Sequence, residues 1–357
     1  MARQKLCFEH VVIDDHPPGG WHDILLLTDL TGNGLPDIII GGKAGPPNLF
    51  WYENPGFSRH EIAEAPELEA GGVLIDISGN GKLDIVAGQQ TGGRYLFWFE
   101  QPDDPREPWT PRIVEDRFEQ YHDQAAGDVD GDGEFELIAL SQRSGVLVYY
   151  DIPADPRISP WPRSCARIVA DNLHQVEGLA VVDFDLDGRN EIVAGTSVFH
   201  PPEQPGGLWR RDDLAEGFRK TRIAVGDLTG NGQPDLVISE GEQCPARVAW
   251  VSMPDRQIHM LRDDLFHPHS LAIADFNGDG VPDIFVAEMG LGRNPNPRWF
   301  VYVNRGDGEF EEVLIAEGIP THEAKPADLT GNGLCDVVGK DYAERGRIDV
   351  LFNRTLD

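Results

Sequence analysis

Cysteine is scarce and scattered in this chain. Cys7, Cys165, Cys244 and Cys335 are the only four among 357 residues, and no two are spaced as a pair. A disulfide framework or a zinc ribbon is therefore not indicated. Positive charge is short as well: 30 Lys and Arg stand against 61 Asp and Glu, for a formal net charge of −31. Such a surface repels phosphate backbones and anionic membranes, so nucleic acid is not an expected partner. No apolar run is long enough for membrane insertion. The opening stretch MARQKLCFEHVV carries no apolar signal-peptide core. The expectation is a soluble cytoplasmic chain, or a secreted one if a signal has been removed. Oligomeric state is left open.

What the chain has in quantity is turn formers and carboxylates. Glycine (40) and proline (27) are abundant, and 40% of residues are hydrophobic, enough for a sizeable core. That mixture favours many short strands joined by tight turns. The excess carboxylate suits divalent cations.

One loop recurs seven times: TDLTGNGLPDIII (28–40), IDISGNGKLDIVA (75–87), GDVDGDGEFELIA (127–139), VDFDLDGRNEIVA (182–194), GDLTGNGQPDLVI (226–238), ADFNGDGVPDIFV (274–286) and ADLTGNGLCDVVG (327–339). The first acids are Asp29, Asp76, Asp128, Asp183, Asp227, Asp275 and Asp328, spaced 44 to 55 residues apart. A period of this length points to propeller blades. Each unit offers an apolar run before the loop, a second after it, an aromatic third such as LFWYEN or YLFWFE, and an alternating fourth such as RHEIAE. The fourth strand of the blade that begins at Asp183 is the least defined. The chain ends on a third-strand segment, IDVLFN, and begins with CFEHVVIDD, which reads as a fourth strand. The expected fold is all-β: a single seven-bladed β-propeller over 1–357, closed by an N-terminal strand (about 6–15) that completes the last blade and removes free sheet edges.

These loops resemble the FG-GAP/VCBS repeats of integrin α-subunit propellers and many bacterial proteins. The resemblance covers essentially the whole chain. It implies fold and says little of function.

The loop is not an EF-hand, because the twelfth position of the third copy is Ala139, inside a strand. Carboxylates at positions one, three, five and nine can still converge on a hard cation. Three copies are rich enough for structural calcium: Asp128/Asp130/Asp132/Glu136, Asp183/Asp185/Asp187/Glu191 and Asp275/Asn277/Asp279/Asp283. The other four carry Thr or Ser at position three and Asn at position five, side chains that bond the turn directly.

Histidine gathers at the other end of the same strands. His122, His269 and His322 each fall six residues before the first loop acid; Ala70 and Thr221 hold that place in two repeats. Taking the first and fourth repeats as longer, His22 (seven before) and His174 (nine before) join the column. First strands line a propeller channel, so these imidazoles are expected to encircle one mouth, opposite the calcium loops. The ends of the second strands add Lys43, Gln89, Gln142, Glu240, Glu288 and Lys340, and Tyr121, Glu177 and Arg222 belong near the rim. Imidazoles with a carboxylate bind zinc or another divalent metal. Alternatively, one imidazole is a general base and Lys43 or Arg222 stabilises the anion it generates. Both suit β-elimination from a sugar.

The stretches FWYENPG (50–56) and HQVEGLAVVDFDLDG (174–188) resemble the propeller domain of fungal aldos-2-ulose dehydratase/isomerase, and more loosely seven-bladed polysaccharide lyases. The resemblance implies a zinc-assisted dehydration of keto sugars, with His122, His174, His269 and His322 as site residues and His22 next. The expected partner is a small-molecule sugar or glycan. The competing class is a non-catalytic, calcium-dependent binding or adhesion propeller, with Trp161 in ISPWPR, or the segment RNPNPRW, as its contact loops.

Overall fold

The computed structural model describes residues 5–204, 206–306 and 308–355. Seven antiparallel sheets of four strands each make up the molecule. In blade one the strands are Gly20–Thr28, Asp37–Ala44, Leu49–Glu53 and Ser58–Ala63, paired in that order. The next five blades repeat this up-and-down order. In the last, Glu323–Ala327, Asp336–Lys340 and Ile348–Asn353 are completed by Phe8–Asp14, with Phe8 opposite Asn353 and Val11 opposite Val350. The ring is thus closed by strand exchange between the termini. The poorly defined fourth strand of blade four is Arg210–Asp213, paired with Ser197–His200.

The core lies between blades. Seven apolar clusters each join two neighbours, such as Ile24, Ile39 and Trp51 of blade one with Ile85, Phe97 and Phe99 of blade two. The third strands supply much of this packing: six of the seven bury at least one aromatic ring, each ring contributing roughly 2–3 kcal/mol. Buried Asn54, Asn304 and Asn353 then donate to Leu329, Leu228 and Phe276 carbonyls of adjacent loops, at 2.7, 2.7 and 2.8 Å. Among the described residues the four cysteines are free, and no helix is long and apolar enough to cross a membrane.

Each acidic loop joins the first strand of its blade to the second, so all seven lie on one face. In the Thr- or Ser-bearing copies the first acid collects the amides of the turn: Asp29 accepts from Gly32, Asn33 and Gly34 at 2.7, 3.1 and 2.7 Å. Asp76, Asp227 and Asp328 do the same. The ninth-position acid faces inward and staples strands. Asp37 accepts from Leu30 and Asn54 amides, and Asp283 from Phe276 and Asn304.

The three copies expected to hold calcium divide. Glu136 and Glu191 are one methylene longer than Asp; each accepts the amide of the second loop residue, Val129 or Phe184, on Oε2, and Glu136 keeps Oε1 for the loop. Asp128, Asp130 and Glu136 bring ligand atoms within 4.8 Å of one another, as do Asp183, Asp185 and Asp187. Asp185 and Glu191 are also approached by His200 Nδ1, at 3.3 and 3.4 Å.

Two of the expected ligand sets are corrected. Asp132, expected as a ligand of the Asp128 loop, stands outside the convergent group of that loop. Its side chain is exposed and serves the turn instead: Oδ1 accepts the Glu134 amide at 2.8 Å, while the Asp132 amide donates to Asp130 Oδ1 at 3.3 Å. That loop therefore offers three acids rather than four. In the third copy both Asp283 oxygens are stapled and Asn277 is bonded to Asp279, so Asp275, Asn277, Asp279 and Asp283 are not drawn together as a ligand set.

Candidate functional site

The opposite face holds a cavity of about 330 Å³ at the channel mouth. Its lining includes Asp23, Lys43, Glu69, His122, Lys220, Glu242, His267, His322 and Tyr342. The first-strand residues reach it through a strict column. Counting six back from each loop acid without gaps gives Asp23, Ala70, His122, Glu177, Thr221, His269 and His322. In blades one and three this residue is the extra one of a β-bulge, between His22 and Ile24 and between Tyr121 and Asp123. A bulge re-aims a side chain that regular pleating would send elsewhere. The next position inward supplies Asp123, Arg222 and Glu323.

The sequence column is corrected accordingly. His22 is not a mouth residue: it pairs with Gly42 one place earlier, turns against the Phe50 ring and donates from Nε2 to the Pro18 carbonyl at 2.9 Å. Tyr121 occupies the equivalent place in blade three and is buried in the apolar cluster between blades two and three. His174 is exposed, bonds the Arg143 carbonyl at 3.2 Å and lines a neighbouring groove rather than the mouth. Glu288 accepts from the Phe266 amide and the Arg298 guanidinium, which occupy both its oxygens. Trp161 is a core residue, its indole bonded to the Pro156 carbonyl, so it offers no contact loop.

His122, Glu177, His269, His322, Lys43 and Arg222 do come together. His122 Nδ1 donates to Asp123 Oδ2 at 2.7 Å, and Arg222 donates to Asp123 Oδ1 at 3.1 Å. The Gly178 amide adds a third donor at 3.1 Å. Burial would depress the His122 imidazole, yet the carboxylates of Asp123 and Glu177 outweigh it and raise it to about 10. Burial likewise opposes ionisation of Asp123, but His122 and Arg222 hold it well below the usual carboxylate range. The pairing with Asp123 therefore favours the protonated imidazolium.

Two further elements complete the mouth. His269 and His322 stack with ring centroids 4.3 Å apart, and Tyr342 stacks on His322 at 4.8 Å. Burial takes both imidazoles well below their ordinary value, with Arg222 and Lys340 adding to it. Lys340 is fully buried, donates to the His22 carbonyl at 2.8 Å and approaches His322 Nδ1 at 2.9 Å. Lys43 lies 2.8 Å from Asp23, 3.4 Å from Glu69 and 3.1 Å from the Tyr342 hydroxyl. Glu177 is pushed up to about 7 by burial, and Lys220 is paired with Glu242. Gly241 makes room: a Cβ there would stand 2.9 Å from Arg222 Cγ and 3.2 Å from His269 Cδ2.

Among the described residues no two of these histidines share a convergent ligand group; Nδ1 of His122 is engaged by Asp123 and Nδ1 of His322 by Lys340. The group with converging ligand atoms is instead Glu177, Glu242 and His269. Asp23, Asp123, Glu242 and Tyr342 were not among the sequence candidates. The ungapped count finds Asp23 and, one place further in, Asp123. Glu242 and Tyr342 sit in turns with no repeat position to betray them.

Residues 29–87 and 275–339 match the family described as an FG-GAP-like repeat. No curated protein matches the chain. Solved structures of similar fold include these two. One is the V. cholerae biofilm matrix protein Bap1, with TM-score 0.51 and 10% identity over 95% of this chain and 89% of that one. The other is an ancestral GH74 enzyme, with TM-score 0.61 and 9% identity over 95% of this chain. The aligned part spans about half of that enzyme (48%). The protein is thus a seven-bladed β-propeller, two stretches of which match the FG-GAP-like repeat.

Proposed function

We propose that the protein is a carbohydrate-active carbon–oxygen lyase, eliminating water or an alcohol from a keto sugar or a uronate-containing glycan at the His122 mouth. The observation that carries this reading is the Arg222–Asp123–His122 chain, which presents a fixed imidazolium to a polar cavity. A general acid needs that combination of orientation and charge. A carbohydrate-related role also accords with the GH74 and biofilm-matrix propellers of similar fold.

The chemistry divides among lining residues. Glu69, held only by long contacts to Lys43 and Gln120 (3.4 and 3.5 Å), takes the proton from the carbon beside the carbonyl or carboxylate. The C–H electron pair forms the enolate, whose negative oxygen is held by Lys43. His122 gives its Nε2 proton to the departing oxygen as the C–O bond breaks and the C=C bond forms. The proton on Glu69 returns to His122 through solvent.

On the other face, the Asp128 and Asp183 loops are the ones that fit calcium, through Asp128, Asp130 and Glu136 in one and Asp183, Asp185 and Asp187 in the other. Bound calcium there offsets the mutual repulsion of the clustered acids and stiffens the turn. It plays no part in the reaction.

The reading is tested by incubating the protein with 2-keto sugars and uronate oligosaccharides in D₂O and following proton loss and new vinyl signals by NMR. Turnover by the native protein and none by His122→Asn supports it. Binding without turnover would instead mark a binding propeller.

A further inference from the structure

Under the mouth, three blades each contribute one ligand-bearing side chain to a single point. Glu177 precedes the first strand of blade four, Glu242 lies in the turn after the second strand of blade five, and His269 precedes the first strand of blade six. One ligand atom from each lies within 4.8 Å of the others. Glu177 and His269 are 0% and 2% exposed, while Glu242 is half-buried and lines the cavity.

Hydrogen bonding fixes which atoms face the point. His269 Nδ1 lies 3.0 Å from the His322 carbonyl, which can only accept, so Nδ1 carries the proton and Nε2 carries a lone pair. That Nε2 has no hydrogen-bond partner among the described residues, and neither has Glu177 Oε2. The other Glu177 oxygen accepts from the Gln142 amide at 2.5 Å. Two of the three ligands thus bring an unpartnered buried polar atom to the group, while Glu242 is paired with Lys220, and an unpaired buried polar atom is costly. The arrangement is stable when a cation takes the three lone pairs.

We propose that Glu177, Glu242 and His269 form a binding site for a divalent first-row transition ion such as Zn²⁺ or Mn²⁺. Two carboxylates and one imidazole suit such an ion, whereas calcium takes six to eight oxygens. Gln142 and the His322 carbonyl orient the two buried ligands, as outer-sphere partners do in metal sites. The third ligand stands at the cavity, so the open coordination positions face it, as a catalytic ion requires. Lys220 is the present partner of Glu242, and the ion replaces that ammonium. Any part the ion plays in turnover, by polarising a sugar carbonyl, rests on the lyase reading; the binding itself does not.

The test is isothermal titration of the chelator-treated full chain with Zn²⁺ and with Mn²⁺, in excess calcium to fill the loops on the far face. One tight equivalent is expected. Glu242→Gln and His269→Gln should each weaken it at least about tenfold, and Lys220→Gln should strengthen it. Asp128→Asn should leave it unchanged. Thermal melts establish that each variant is folded; Glu242→Gln, altering a half-buried residue, keeps the test decisive if His269→Gln unfolds. No binding in excess calcium, binding indifferent to Glu242→Gln, or weaker binding by Lys220→Gln overturns the proposal. Metal binding without turnover of any sugar would sink the lyase reading and leave this site standing. Turnover without metal binding would do the reverse.

Discussion

Asp23 and His122 stand in the same place on two blades. Each is six residues before its loop acid, each is the extra residue of a first-strand bulge, and each turns its side chain into the channel mouth. They carry opposite charge there. Asp23 faces the Lys43 ammonium at 2.8 Å, and the His122 imidazolium faces Asp123 at 2.7 Å. The propeller thus uses one backbone device to place an anion on one side of the cavity and a cation on the other.

Asp123 acts through His122. Asp123→Asn keeps an oxygen for Nδ1 but removes the charge that holds the imidazole protonated. Turnover is expected to fall about 100-fold or more with KM little changed. The basic limb of the pH profile should also move to lower pH. Steady-state kinetics across pH check this; an unchanged profile would count against the dyad.

Lys340 makes a stability prediction with a definite sign. Burial lowers it from 10.5 to about 8, against the opposing carboxylates of Glu323 and Asp23. Between about pH 8 and 10.5 the unfolded chain binds the proton that the folded chain has released, so stability from this group rises with pH through that window. Lys340→Met should abolish that rise. Urea titrations at pH 8 and pH 10 compare the two proteins.

Chelation selective for calcium should act on the loop face. Removing calcium from the Asp128 and Asp183 loops is expected to lower the melting temperature by about 2–5 °C, restored by calcium. Asp130→Asn should reduce the effect, whereas Thr31→Ala should leave it intact, because Asp29 already bonds its own turn amides. Calorimetric melts with and without chelator give the answer.

Gly241→Ala places a methyl against Arg222 and His269. The expected cost is about 1–3 kcal/mol of stability with a larger, at least tenfold, loss of turnover. A variant that melts like the native protein and works as well would show that this packing does not position the site.

The fold was legible because one loop repeats seven times and its strands are short, apolar and bounded by turn residues. Strand exchange could be read from a third-strand ending and a fourth-strand beginning. The site was legible in part. His122, His269 and His322 marked the column, but a gap was opened to admit His22, and that gap hid Asp23. The bulge is why: it adds a residue to blades one and three alike, so no gap was needed. His22 and Tyr121 share the place before it and both turn away from the channel. Glu242 could not be read, since its turn after the second strand differs in every blade. On the loop face, residue type alone overstated the ligands. Asp132 accepts the Glu134 amide two residues on, as the Asn at the same position does in the Thr- and Ser-bearing turns. The Asp283 loop looked rich in ligands, yet its ninth-position Asp spends both oxygens on the Phe276 and Asn304 amides, whereas Glu136 converges with Asp128 and Asp130.

The central claim is that His122 performs proton transfer on a sugar. The most direct measurement is the ultraviolet absorbance of the unsaturated product formed from keto sugars or uronate oligosaccharides, by the native protein and by His122→Asn, with melts run in parallel. The account predicts product from the native protein and a loss of at least about 100-fold in the variant at an unchanged melting temperature. An equal rate from both proteins would contradict it.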